Sequence, residues 1–318
     1  MIIFSAPGST MLLGEHAVLA GYPAVVAAVN RRVTVSITKR DDKLITIDSP
    51  LGKFSGDLAS LTETSISKPF EFILAAILFY QDKLTNGIDI NITAEFSSTI
   101  GLGSSAAVTA AFVAALQKLV GVWQSDLASL HKIGLQIIHK VQGEASGADL
   151  AASIYAGTLL YQINKASQKI KHNPAITLVY CGYKTPTAEV IKKVQAQAKL
   201  APQLYENIFA AVGNCAMQGA AAIANSDWPR LATLFMQQYK LQQKMQLSDE
   251  ILDNLINTAE ILPNILAAKI SGSGLGDCIV TLGKLPCNYF PRNEKEKEQS
   301  VRQIDVVITD KGIKDESP

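Results

Sequence analysis

Apolar and polar residues alternate through the first third of the chain in runs that read as strands. From Ile88 to Thr93, the isoleucines Ile88, Ile90 and Ile92 alternate with Asp89, Asn91 and Thr93, a period of two that buries one face of an antiparallel sheet. Val33 to Thr38 and Leu44 to Asp48 have the same β-rich character. The pattern changes near residue 105, where an Ala/Val/Leu stretch predicts a helix to about 120, and a second helix is expected over about 126 to 141, with Ser125 and Asp126 as capping residues. Strand-like runs return at Gly157 to Ile163 and Ile176 to Tyr180. The second half is then mainly helical, near 187 to 198, 202 to 224, 227 to 245 and 248 to 260. Cys278 to Leu282 reads as an apolar strand, Glu294 to Glu298 as a solvated loop of alternating charge, and Ile304 to Ile308 as a closing strand. Strands grouped early and helices late make the fold class α+β rather than a strictly alternating doubly wound sheet.

Length and composition narrow the function. A chain of 318 residues holds two domains or one large fused unit. Its 29 Lys+Arg against 28 Asp+Glu leave a net charge of +1, which excludes a nucleic-acid protein that works by bulk charge and a polybasic membrane binder. No apolar run reaches the roughly 18 residues of a membrane span, since even Ala106 to Val120 carries Thr109, Gln117 and Lys118. The opening MIIFSAPGS lacks the basic, apolar and small-residue succession of a secretory signal. The four cysteines lie far apart with no CxxC pair, as expected of a reduced cytoplasmic chain and not of a zinc site or a disulfide framework.

Three glycine-bearing segments carry the candidate chemistry. Gly101-Leu102-Gly103-Ser104-Ser105-Ala106 stands between a strand and an apolar helix, where glycines let the backbone approach a ligand and the free N–H groups of the first helical turn favour an anion. It is neither a Walker loop nor a GxGxxG turn, and a simple helix cap is its alternative reading. Ser271-Gly272-Ser273-Gly274-Leu275-Gly276-Asp277-Cys278 is a hairpin loop or a flap over a ligand held by the first segment. Near the start, Gly14-Glu15-His16 puts a carboxylate and an imidazole at a strand end, as structural groups or as substrate contacts.

In this order and spacing, the three segments resemble the motifs of the GHMP kinase superfamily. GEHAVLAGYPAVVAAVNRR (Gly14 to Arg32), GLGSSAAVTAAFVAAL and QGEASGADLAASIYAG (Gln142 to Gly157) are most similar to the mevalonate kinase branch, and AAKISGSGLGDC also resembles phosphomevalonate kinases. The resemblance implies a two-domain fold, with a ribosomal protein S5 domain 2-like unit over 1–168 and a ferredoxin-like α/β unit over 169–318, and an active site in the cleft between them. It implies ATP and Mg²⁺ as cofactors and a small hydroxylated substrate, mevalonate or a close relative. A homodimer is compatible with it.

By this resemblance Asp149 is the catalytic base. Without it, Asp149 would read as the N-cap of a short helix from Leu150 to Ile154. The backbone from Gly101 to Ala106 would cradle the phosphates and Ser105 would reach Mg²⁺. Glu15, His16, Thr187, Gly272 and Ser273 fall on the substrate side. Two positions depart from the family: Ser9 stands where a basic residue is usual, and Ile138 where a Mg²⁺-binding glutamate is usual. Lys184 and Glu144 are the candidates to replace them, Glu144 reading equally as a solvated loop residue. The alternatives that stay open are a phosphomevalonate kinase, for which Lys184 with Arg31 or Arg32 would hold a second phosphate, an ATP-binding pseudoenzyme or regulator, and a diphosphomevalonate decarboxylase type.

Overall fold

The computed structural model describes residues 1–318. Two sheets form, one of eight strands and one of four. In the first, β1 (Ile2–Leu13) pairs antiparallel with the long β2 (Ala24–Lys39). β2 pairs on its other side with β5 (Ile88–Ala94), which runs parallel to β3 (Leu44–Ser49), the partner of β4 (Gly52–Asp57). The alternation read from Ile88 to Thr93 is realised, with Ile88, Ile90 and Ile92 buried. At its start β2 also pairs with β6 (Thr158–Tyr161), which holds β7 (Gln168–Ile170).

The second sheet is antiparallel, in the order β11 (Arg302–Ile304), β8 (Ile176–Lys184), β10 (Gly276–Leu282), β9 (Ala267–Ser271). Its central strands are buried on both faces, which is why Cys278 to Leu282 is apolar at every position but Thr281, itself buried. Leu178, Tyr180, Cys278, Val280 and Leu282 join a core of 62 buried residues that continues through the first sheet. Val179, Cys181 and Ile279 face the other way, against Leu252, Leu255 and Ile256 of α8 (Glu250–Glu260). One continuous core therefore fuses the two sheets.

Four helices cover the first sheet: α1 (Glu71–Phe79), α2 (Ser104–Leu119), α3 (Leu127–Gln142) and α4 (Ala148–Tyr155). Asp126 caps α3 by accepting from the N–H groups of Ala128 and Ser129. α5 (Thr187–Leu200), α6 (Pro202–Ala224) and α7 (Trp228–Lys244) follow, and α6 is long and apolar enough to cross a membrane, but 50% of its most apolar stretch is buried within the fold.

Two expectations change. Glu294 to Glu298 is not a loop but a short helix, α9 (Glu294–Glu298), because Asn293 caps it and buried Glu296 pairs with Arg292 at 2.6 Å. The closing strand from Ile304 to Ile308 forms only as β11, ending at Ile304. Beyond it the chain crosses to the first sheet, where Ile308 bridges Val29 and β12 (Lys314–Asp315) pairs with β1.

Candidate active site

The segment Gly101 to Gly103 sits against β1. Ser9 N–H donates to Leu102 O at 3.0 Å, and a Cβ at Gly8 would lie 2.7 Å from that same oxygen, so only glycine permits the approach. Gly103 is the N-cap of α2, at φ +60, and a Cβ there would meet Ser9 Oγ at 2.0 Å and Asp149 Cβ at 3.5 Å. The serines are not caps: neither the Ser104 nor the Ser105 hydroxyl hydrogen-bonds within the chain. The start of α2 thus keeps its first N–H groups and two serine hydroxyls without partners in the chain, an arrangement that suits an anion.

Asp149 is half-buried in the first turn of α4, whose N-cap is Gly147, so it does not cap this helix. Its Oδ1 accepts from Ser9 Oγ at 2.8 Å. Burial pushes the Asp149 carboxyl above the usual aspartate range, while the Ser9 hydroxyl and the charge of Lys184 pull it back. The turn before it is set by groups with no sequence signal of their own. His131 Nε2 bonds Gly147 O at 3.1 Å and the Tyr161 hydroxyl donates to Ser146 O.

The third glycine segment closes on the first. Asp277, almost wholly buried, projects its carboxylate so close to Gly101 that a Cβ there would lie 2.9 Å from Oδ1. Lys184, at the end of β8, pairs with Asp277 Oδ1 at 3.0 Å. Burial raises the Asp277 carboxyl, Lys184 opposes that shift and Asp149 adds to it, so two carboxylates share one lysine. Asp277 was not among the sequence candidates; its signal was the lone acidic residue in a glycine loop. His16 Nε2 bonds Ser273 O at 2.8 Å, tying the strand-end segment to this loop, and burial lowers its imidazole below the usual range.

Other candidates lie elsewhere. Glu15 turns inward, its carboxylate 2.5 Å from Lys269 Nζ and also bonded by Gln238, with Glu15 and Lys269 both buried. Burial pulls this pair toward neutrality and their mutual attraction opposes it. Thr187 is exposed at the start of α5, Glu144 is exposed and bonded to Gln195, and Ile138 is in the main core. Beside the start of α2 opens a cavity of about 670 Å³ with Ser97, Ser98 and Ser104 at its polar rim and Phe70, Phe96 and Val108 along its wall. An apolar slot next to an anion cradle fits a nucleoside with its phosphates.

Comparison with known proteins decides the family. Residues 71–157 match the GHMP kinases N terminal domain, residues 219–304 the GHMP kinases C terminal domain, and residues 1–39 the galactokinase galactose-binding signature. Mevalonate kinase of Pyrococcus furiosus is 30% identical over 95% of this chain and 92% of its own length, and that of Archaeoglobus fulgidus 32% over 93% and 98%. The chain belongs to the GHMP kinases. Among solved structures, Methanococcus jannaschii mevalonate kinase superposes with a TM-score of 0.78 at 25% identity, over 96% of this chain and 98% of that one. This GHMP kinase is most like the mevalonate kinases, and it is a small-molecule kinase with ATP as phosphoryl donor.

Proposed function

We propose that this GHMP kinase transfers the γ-phosphoryl group of ATP to the primary hydroxyl of mevalonate, giving 5-phosphomevalonate. The observation that carries the reading is the seating of Asp149 directly beneath the phosphate cradle, with Gly103 between them and Ser9 bonded to the carboxylate. Asp149 accepts the proton of the attacking hydroxyl as its oxygen bonds the γ-phosphorus and the bond to ADP breaks. The free N–H groups and the Gly101–Ala106 backbone hold the phosphates, and the adjoining cavity takes the nucleoside. His16 with the Gly272 and Ser273 loop borders the acceptor side; Glu15 is spent on Lys269 and Gln238.

Mg²⁺ fits this site as an ion carried by the ATP phosphates, since no group of three or more acidic, His or Cys side chains gathers to hold one alone. The Ser105 hydroxyl would be its protein ligand, and when bound the ion would supply positive charge to the phosphates. The arginines do not favour an acceptor that already bears a phosphate. Arg32 is bound to Ser5 and to the carbonyls of Lys311 and Gly312, and Arg31 lines the nucleoside cavity.

ADP release by the purified protein with ATP and Mg²⁺ tests the acceptor, against mevalonate, phosphomevalonate, homoserine and galactose. The highest kcat/KM is expected with mevalonate. Turnover confined to galactose or phosphomevalonate overturns the acceptor, and no turnover with any of them makes the chain a nucleotide-binding pseudoenzyme.

A further inference from the structure

Phosphoryl transfer spreads negative charge over the equatorial oxygens of the moving group, and a site that lowers the barrier places positive charge there. Ser9, the side chain bonded to Asp149, is neutral. The cation at this end of the cleft comes from the second sheet. Lys184 is the lysine or arginine whose charge acts on Asp149, and it pairs with Asp277 at 3.0 Å. The two partners differ in exposure, 30% for the Lys184 side chain and 5% for Asp277, so a buried carboxylate anchors a partly exposed lysine.

The anchor is fixed by its surroundings. The Asp277 carboxylate is wedged between two glycines, where a Cβ would lie 2.9 Å from it at Gly101 and 3.4 Å at Gly272. Asp277 holds a left-handed backbone, φ 63, that a non-glycine residue adopts only where its environment over-determines it. The segment bearing Lys184 is clasped as well: a Cβ at Gly276 would lie 3.1 Å from Lys184 Cα, and the Thr185 hydroxyl donates to Leu275 O at 2.5 Å. An ammonium has three donors, and Asp277 is the one carboxylate within ion-pair distance of it.

We propose that Lys184 is the cation that hydrogen-bonds the transferring γ-phosphoryl group, and that Asp277 is the residue that positions it against the phosphate loop. This rests on the phosphoryl-transfer reading of the Asp149 site. In the step itself the acceptor oxygen bonds phosphorus, the bond to the ADP oxygen breaks, the acceptor proton passes to Asp149, and Lys184 keeps its proton throughout.

The test is a double-mutant cycle on kcat, run with whichever acceptor of the panel gives the highest kcat/KM, with calorimetric Kd for ATP and thermal melts to confirm folding. Lys184→Met is expected to lower kcat by about 10²–10³-fold with a much smaller rise in the ATP Kd, and Lys184→Arg to recover part of the loss. Asp277→Asn is expected to lower kcat about tenfold in the wild-type background and to add almost nothing to Lys184→Met, because it acts through that lysine. A Lys184→Met enzyme within about threefold of wild-type kcat, or losses that simply multiply in the double variant, would overturn the proposal. If the best acceptor is not mevalonate, the acceptor falls and Lys184 is judged on the one found. If the wild-type chain turns over none, both fall.

Discussion

Asp149 is pulled in two directions by its surroundings: burial favours its neutral form, while the Ser9 hydroxyl and Lys184 favour the carboxylate. A general base works only deprotonated, so activity is lost as pH falls through a pKa that lies above the ordinary aspartate range. Ser9→Ala removes a hydrogen bond to the charged form and leaves the burial. The acid limb of its kcat/KM profile is therefore expected at higher pH than in the wild-type enzyme. Parallel pH–rate profiles check this, and a limb that stays in place or moves to lower pH contradicts the role given to Ser9.

At the scale of elements, the end of β1 is fastened to the second sheet through β9. Thr10 Oγ1 and Ser271 Oγ lie 2.8 Å apart, and Lys269 of β9 is buried against Glu15 at 2.5 Å. Breaking such a pair strands an uncompensated charge in the interior, so Lys269→Met is expected to cost about 3–5 kcal/mol. Adding Glu15→Gln, which removes the stranded charge, is expected to recover part of that cost. Urea unfolding of the single and double variants measures both, and a double variant less stable than Lys269→Met alone would refute the pairing.

This contact was hidden in the sequence, and the reason is physical. Glu15 stands in a motif that resembles a substrate contact, while Lys269 lies 254 positions away in a short Ala-Ala-Lys-Ile-Ser run with little strand signal. Elements with a clean period, such as β5, or with a strong cap, such as α3, were legible. β9 and α1 were not, the first because it is short, the second because it is apolar nearly all round. The glycine turn from Gly101 to Gly103 could be read from local residue types, whereas Asp149 and Lys184 were singled out only through the resemblance to the GHMP kinases. His131 and Tyr161 could not be read locally, because they act through tertiary contacts with Gly147 and Ser146, and Asp277 offered only the signal of an acidic residue in a glycine loop, its approach to Gly101 being tertiary.

For the whole molecule, a net charge of +1 and a triphosphate ligand are reconciled by local electrostatics. The proposed cradle would use backbone N–H groups at the start of α2, which need no excess of basic residues. The position that family resemblance would fill with a cation holds Ser9, and the lysine whose charge acts on Asp149 comes from the other sheet, so on the proposed assignment the site draws on both sheets. The continuous core that joins them keeps that docking in place. The most direct measurement of the central claim follows the phosphoryl group itself, with ATP labelled at the γ-position and mevalonate as acceptor. The wild-type chain is expected to move the label onto mevalonate, and Asp149→Asn, folded and still binding ATP, to do so at least about 10²-fold more slowly. Label that stays in ATP, or that leaves as free phosphate with mevalonate untouched, would contradict it.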